Sequence, residues 1–164
     1  MDIDRTWLTG IGTDHPVVAA IAQRFPDAEL VEGHFRGEII WIVQPEGLIE
    51  FMTYLRDEPS LAFKFLIDVG GLEVKQGDIK LWTFYNIHSL QNRVRMRIKV
   101  PAKNGKVPSV TPLFPGANWH EREAYDMFGI QFDGHPDLTR IFMPDEFEGH
   151  PLRKDFPLRG RDRD

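Results

Sequence analysis

Cysteine is absent from this 164-residue chain, and its absence removes several kinds of chemistry. Without a thiolate the chain has no Cys ligand for an iron–sulfur cluster or a zinc ion, no Cys nucleophile and no disulfide. A secreted disulfide scaffold is therefore excluded, and a reducing compartment is the simpler expectation. Apolar residues make up 41% of the sequence and aromatic residues 12%, which is typical of a folded domain.

Long apolar runs are also lacking. The longest, at residues 17–22 and 39–43, are far shorter than the ~20 residues that a helix needs to cross a bilayer. The first residues contain Asp and do not have the basic-then-apolar layout of a signal peptide. We therefore expect a soluble chain that meets a membrane only through a partner. The net charge of −5 gives no reason to expect nucleic-acid binding.

Charge is unevenly distributed along the chain. Residues 1–60 carry 4 basic and 11 acidic side chains, residues 61–115 carry 9 and 3, and residues 116–164 carry 7 and 11. Within residues 93–100, four basic residues alternate with apolar ones: Arg93, Arg95, Arg97 and Lys99. This alternation predicts a half-buried strand whose basic face meets an acidic partner or solvent. RNA is a weaker interpretation, because the interleaved residues are aliphatic and offer no stacking surface.

The first 129 residues predict one α+β domain, with helices packed on a mostly antiparallel sheet in the order α-β-β-α-β-β-β-α. The predicted helices span residues 16–25, 45–58 and 116–128, and the predicted strands span residues 28–35, 38–44, 63–69, 79–88 and 93–100. Thr13 or Asp14 is the expected cap of the first helix, and residues 36–37 the first turn. In the third helix, Asn118 is a candidate N-cap with Glu121 three residues on, and Gly129 is the expected end.

Residues 130–164 predict a second unit, because they show no sustained period and are rich in proline. Eight of the twelve prolines lie at or after Pro101. The segment is too apolar for a solvated tail. We therefore expect an extended arm that packs partly on its own domain and partly on another protein.

Helix 116–128 has two distinct faces. The face expected to dock on the sheet contains Ala117, His120, Ala124, Met127 and Phe128. The opposite face contains Trp119, Arg122, Glu123 and Asp126. Two interpretations remain open for that second face: an interface anchored by the Trp, or a solvated face with an Arg122–Asp126 pair.

Catalytic and metal-binding patterns are weak. His120, His135 and His150 are spaced by fifteen residues, but no two histidines are four apart on one helix, so structural roles are favoured over a metal site. Glu121, Glu123, Asp126 and Asp133 are candidate acid–base carboxylates without an accompanying nucleophile or phosphate-binding motif. A free-standing metal hydrolase using the three histidines is kept only as a distant alternative.

Three ordered motifs resemble one family closely. Residues 116–130, GANWHEREAYDMFGI, resemble the E-R-E-x-x-D-M-F-G-I helix of the C-type subunit of respiratory complex I, the proton-translocating NADH:quinone oxidoreductase. The same subunit is called J in the plastid and cyanobacterial enzyme. Residues 134–141, GHPDLTRI, and 149–157, GHPLRKDFP, are similar to the next two motifs of that family, in the same order.

The resemblance implies a non-catalytic structural subunit of the hydrophilic arm, at the cytoplasmic face of the cell membrane. Its implied partners are the D-type subunit, which forms the quinone site, and neighbouring iron–sulfur subunits. The complex passes electrons from NADH through FMN and iron–sulfur clusters to quinone, coupled to proton translocation, while this chain is expected to bind no cofactor or metal. The alternative is the equivalent subunit of a membrane-bound hydrogenase or of a dehydrogenase with another electron donor.

Together, the helix face and the motifs predict a subunit interface on the last helix and the arm. The predicted interface residues are Trp119, Arg122, Glu123, Asp126, His135, Pro136, Arg140, Pro151, Leu152, Arg153, Lys154 and Asp155.

Overall fold

The computed structural model describes residues 15–32, 39–74 and 79–157. Its helices are α1 (Pro16–Arg24), α2 (Leu48–Asp57) and α3 (Ala117–Phe128). Its strands are β1 (Glu29–Glu32), β2 (Ile39–Ile42), β3 (Phe65–Glu73), β4 (Leu81–Ser89), β5 (Val94–Pro101), β6 (Lys106–Pro108) and β7 (Gln131–Asp133). The predicted α+β class and the order of its larger elements are confirmed.

Local sequence explains where the first two helices begin. Pro16 occupies the first turn of α1, and the Nδ1 of His15 accepts a hydrogen bond from the Val17 N–H at 3.2 Å, so His15 is the cap. The caps predicted at Thr13 or Asp14, and the turn predicted at 36–37, lie outside the described residues. A single 3-10 turn at Pro45–Gly47 leads into α2.

The main sheet has five strands in the order β1-β2-β5-β4-β3. Three of its pairings are antiparallel, and β2 pairs with β5 in parallel, with Ile40 opposite Arg97. The parallel pair joins the β1–β2 hairpin to the three-stranded β3–β4–β5 meander. The mostly antiparallel sheet expected from the sequence is therefore confirmed.

Two short strands were not predicted. β6 and β7 form a separate parallel pair, with Val107 opposite Phe132. Both residues are buried. The pair brackets α3 in the chain, because β6 comes before the helix and β7 directly after it. It thereby holds the two connections of α3 side by side.

The helices pack on one face of the sheet. The apolar stripe of α2, which helical spacing predicts from Leu48, Phe51, Met52 and Leu55, is fully buried, and the Phe51 ring lies 6.0 Å from the ring of Trp41 on β2. On β3, a Cβ added to Gly71 would lie 2.6 Å from Cδ2 of Phe128, so α3 approaches the same face very closely. On the opposite face the β4 side chains Trp82, Phe84, Asn86 and His88 remain half-buried.

This close approach predicts that Gly71→Ala destabilises the chain. The added methyl group would meet Phe128 and Ile130, and overpacking of this kind costs about 1–3 kcal/mol. Gly116→Ala is the matched control, because a Cβ there meets nothing within 4 Å. Urea unfolding should show a lower midpoint for the first variant only; equal midpoints would contradict the packing.

Candidate functional site

The residues that follow β7 are fastened to α3 by hydrogen bonds and contain no helix or strand between 134 and 157. We call residues 134–157 the arm. Because the arm has no ladder of its own, its conformation depends on partners supplied by the helix. The candidate site is the surface that α3 and the arm make together.

Asp126 is the central attachment point of the arm. Its carboxylate is fully buried, with Oδ1 2.6 Å from Arg140 Nη1. Its Oδ2 accepts hydrogen bonds from the backbone N–H groups of Ile141 (3.0 Å), Phe142 (2.7 Å) and Met143 (3.0 Å). One side chain thus orders four consecutive residues of the arm.

Arg140 completes the network from the other side. Its Nη1 also donates to the Asp126 carbonyl at 3.2 Å, and its Nη2 donates to the carbonyls of Phe147 (2.8 Å) and Gly149 (3.0 Å). Only 11% of the side chain is exposed. A planar guanidinium with several fixed donors suits this task, in which one cation closes a loop of the arm on α3.

Burial alone would raise the pKa of Asp126, but the N–H groups of Met143 and Phe142, the Arg140 guanidinium and the N–H of Ile141 outweigh it and lower the pKa below the ordinary 3.8. A carboxyl with a lowered folded pKa stabilises the fold above its ordinary pKa, and this contribution is lost as the pH falls through the lowered value. The attachment is therefore at full strength at neutral pH.

Arg122 forms a second link between α3 and the arm. Its Nε donates to the Thr139 carbonyl at 3.1 Å and its Nη2 to Thr139 Oγ1 at 2.8 Å. The guanidinium lies 4.8 Å from the ring centroid of Trp119, a cation–π contact. Trp119 nevertheless stays 63% exposed, so Arg122 holds the indole on the surface.

The histidines act as local supports. The Nδ1 of His135 accepts from the Asp137 N–H at 3.0 Å, so its Nε2, 3.2 Å from the Asn118 carbonyl, is the donor. The Nδ1 of His150 lies 3.0 Å from the Asp126 carbonyl, and its ring occupies the space where a Cβ on Gly129 would be. Gly129 has φ = 77° and ends α3 as predicted. Within the described ranges, no three His, Asp or Glu side chains are grouped as metal ligands.

The last motif is fastened at two places. The Leu152 N–H donates to the Met127 carbonyl at 3.1 Å, and Lys154 donates from its N–H and its Nζ to Glu73 of β3, at 2.6 and 2.7 Å. Arg153 Nε lies 3.4 Å from Asp155 Oδ1, an ion-pair distance without hydrogen-bond geometry. Pro151 is half-buried, whereas Asp155 is exposed.

Several apolar side chains of this region remain in solvent. Trp119 is 63% exposed, Phe142 60% and Leu152 55%. Glu123 and Pro136 are exposed as well. Large apolar side chains that are ordered by a polar network yet left uncovered are typical of a surface that binds another protein.

The prediction that Asp126 shares an outward face with Trp119 and Glu123 is wrong. The arm folds over that side of α3, so Asp126 is buried and pairs with Arg140 instead of with Arg122. Helical periodicity places Asp126 on the side of α3 away from the sheet. It cannot show that Arg140, fourteen residues later, covers that side.

Glu121 was also misassigned, because it makes no capping bond to Asn118. The first turn of α3 has Gly116 at its N-cap without a side-chain bond. Glu121 is fully buried and accepts from Ser109 Oγ at 2.6 Å and from the Val110 N–H at 2.7 Å. Burial raises the pKa of Glu121 to about 7, although both hydrogen bonds oppose the rise. The signal that could have found it is helical spacing, because Glu121 lies four residues after Ala117 and three before Ala124, both on the docking face.

Comparison with known proteins agrees with this geometry. Residues 41–162 match the family described as respiratory-chain NADH dehydrogenase, 30 Kd subunit. The C-type subunit of the NADH-quinone oxidoreductase of Roseiflexus castenholzii is 46% identical over 148 residues, which cover 88% of this chain and 85% of the relative. No helix among the described residues is long and apolar enough to cross a membrane.

Two solved structures share the fold. A trypsin-resistant fragment of Nqo5 is 27% identical, with a TM-score of 0.63, and the match covers 74% of this chain and 99% of the fragment. A chain of an archaeal respiratory membrane complex, the membrane-bound sulfane sulfur reductase, has a TM-score of 0.71 at 19% identity, over 87% of this chain and 84% of the other. The latter likeness concerns the fold alone.

The chain therefore belongs to the family of the 30 Kd subunit of respiratory-chain NADH dehydrogenase. The prediction drawn from the three motifs, membership of the C-type subunit family of the NADH–quinone oxidoreductase complex, is confirmed.

The Asp126 network predicts that Asp126→Asn loosens the arm. The variant leaves Arg140 buried without its counter-ion, and breaking a buried pair in this way costs about 3–5 kcal/mol. Limited proteolysis should cut within residues 137–150 faster than in the unmodified chain. Glu123→Gln, an exposed change on the same helix, should leave the cleavage rate unchanged. Equal rates for both variants would contradict the assignment.

The raised pKa of Glu121 predicts a pH-dependent stability. The folded state keeps the Glu121 proton up to about pH 7, whereas the unfolded chain loses it near 4.5. The free energy of unfolding should therefore fall by roughly 3 kcal/mol as the pH rises from 4.5 to 7 and stay level above that. Urea titrations of Glu121→Gln should lack this particular decline; an unchanged slope would contradict the assignment.

Proposed function

We propose that this chain is a non-catalytic structural subunit in the hydrophilic arm of an NADH–quinone oxidoreductase. Its task is to present a preformed surface, made by α3 and the arm, to neighbouring subunits. The observation that carries the proposal is the buried Asp126–Arg140 pair, which holds the arm in place while Trp119, Phe142 and Leu152 stay exposed. A preorganised surface loses less conformational entropy on binding than a disordered one.

The chemistry of the chain is consistent with a structural role within a redox complex. The sequence has no cysteine to ligate an iron–sulfur cluster. In this proposal the FMN, the clusters and the quinone are bound by other subunits of the complex. The chain contributes by fixing the relative positions of those subunits.

The proposed partners are the subunit that forms the quinone site and the adjacent iron–sulfur subunits. Charges at the end of the arm give such a contact specificity. Lys154 and Asp155 are exposed, and Arg153 is half-buried beside Asp155. Charge pairs across an interface fix its register and disfavour wrong partners. We propose residues 130–164 as the segment that extends onto these partners, at the cytoplasmic face of the membrane.

The proposal predicts that Trp119→Ala impairs assembly without unfolding the chain. An exposed Trp contributes little to the fold, whereas a Trp buried at an interface is often worth about 2 kcal/mol or more, which is roughly a thirtyfold change in affinity. The measurement is the amount of the chain that co-purifies with the complex from its own membranes.

Leu90→Ala is the matched control, because Leu90 is 70% exposed at the β4–β5 turn and belongs neither to α3 nor to the arm. We expect normal incorporation of this variant and normal thermal unfolding of both free chains. Loss of stability in the free Trp119→Ala chain, or full incorporation of that variant, would contradict the proposal.

A further inference from the structure

The sheet has a second face, turned away from all three helices. The backbone register places four rows of side chains on it. The rows are Phe65, His88 and Arg95; Asp68, Asn86, Arg97 and Ile40; Gly70, Phe84, Lys99, Ile42 and Glu29; and Leu72 and Trp82. Among the described elements, α2 and α3 contact the other side, through Trp41 and Gly71. We call this second side the open face.

The composition of the open face is unusual for a solvated sheet. An antiparallel sheet with one wet face normally places polar residues there. Here Phe65 is 52% exposed, and Ile40 and Ile42 on β2 are half-buried. Apolar side chains interspersed with Arg are instead typical of the centre of a protein–protein interface.

A cationic stripe crosses the apolar residues. Arg95, Arg97 and Lys99 point to the open face from β5, the middle strand of the sheet. Arg97 donates from Nε to Asn86 Oδ1 at 2.9 Å, and Asn86 donates from Nδ2 to Asp68 Oδ1 at 2.7 Å, so the central residue of the stripe is held in place by hydrogen bonds. The stripe is basic although the whole chain carries a net charge of −5.

We propose that the open face binds an acidic amphipathic helix of another protein subunit. Helices are the usual cover of an exposed sheet face. From Arg95 to Lys99 the stripe is about 14 Å long at ~3.4 Å per strand residue. That length equals roughly nine residues of α-helix, whose carboxylates at i and i+4 recur with about the same spacing as alternate strand residues. Charge complementarity therefore defines the partner.

Two other occupants fit less well. A second copy of this chain would bring two basic stripes face to face, and like charges at a contact oppose association. Single-stranded nucleic acid needs free aromatic faces for stacking. The Phe84 ring lies across Gly70, where a Cβ would be 2.5 Å from its Cζ, and the Arg97 guanidinium lies 5.4 Å from its centroid. That ring is not free to stack on a base.

This inference goes beyond the proposed function, because it concerns a second contact on the side of the sheet opposite α3. The first test is assembly in cells whose only copy is the tagged chain. Arg95→Glu combined with Lys99→Glu should lower the amount of chain recovered in the purified complex by about tenfold or more, since reversed charges repel the acidic partner. Lys106→Glu, a charge reversal at an exposed lysine on β6, is the control and should assemble normally.

The second test identifies the occupant. In the intact complex, Phe65→benzoylphenylalanine should cross-link to an Asp- and Glu-rich helix of another subunit on illumination. Changing those acidic residues to Lys should restore assembly of the Arg95→Glu, Lys99→Glu chain. Cross-links to this chain itself, to lipid or to nucleic acid, no cross-link, or undiminished assembly of the charge-reversed chain would each overturn the inference.

Urea unfolding of the free charge-reversed chain separates assembly from folding. An unchanged urea midpoint supports a role in binding. A midpoint lowered enough that loss of folded chain accounts for the assembly defect would overturn the inference. The result with Trp119→Ala is independent of these outcomes, because Trp119 lies on α3. Failure at the open face would therefore leave the proposed function of the α3 surface intact.

Discussion

The arrangement of the C-terminal third depends on one buried ion pair. Asp126 and Arg140 are 2.6 Å apart, and together they bind backbone groups from Ile141 to Gly149. Arm residues that lack secondary structure thereby acquire fixed partners for their polar groups. Phe142 is held at its exposed position by the Asp126 carboxylate, and Leu152 by the carbonyl of the neighbouring Met127.

The same helix contains two buried carboxylates in opposite electrostatic situations. Asp126 receives a guanidinium and three N–H groups, which keep it ionised. Glu121 receives one hydroxyl and one N–H, which are too few to offset burial, so its pKa rises to about 7. Asp126 thus binds the arm as an anion, whereas Glu121, with its pKa raised to about 7, binds the Ser109 hydroxyl and the Val110 N–H. Two acidic residues five positions apart on α3 therefore bind different parts of the chain: Asp126 binds the arm, and Glu121 binds the segment before the helix.

The sequence predicted those features that depend on residues close together in the chain, and missed contacts between residues far apart in the chain. The α2 stripe and the β5 alternation are local patterns, and both predicted burial correctly at Leu48, Phe51 and Met96. The partners of Asp126 and Glu121 are eleven to seventeen residues away, beyond any helical period. β6 and β7 have three residues each, too few to show an alternation. The motifs predicted the family, while the burial of Asp126 beneath the arm required the structure.

The Asp126–Arg140 pair also joins segments that are synthesised at different times. The helix is synthesised before residues 140–143, which neutralise and hydrogen-bond its buried carboxylate. Without those residues, Asp126 would lie on the solvent side of α3, where water solvates its carboxylate. The arm covers this carboxylate in the folded chain, and its Lys154 bonds to Glu73 of β3. The surface that the arm presents therefore requires partners in α3 and β3, both of which precede the arm in the chain.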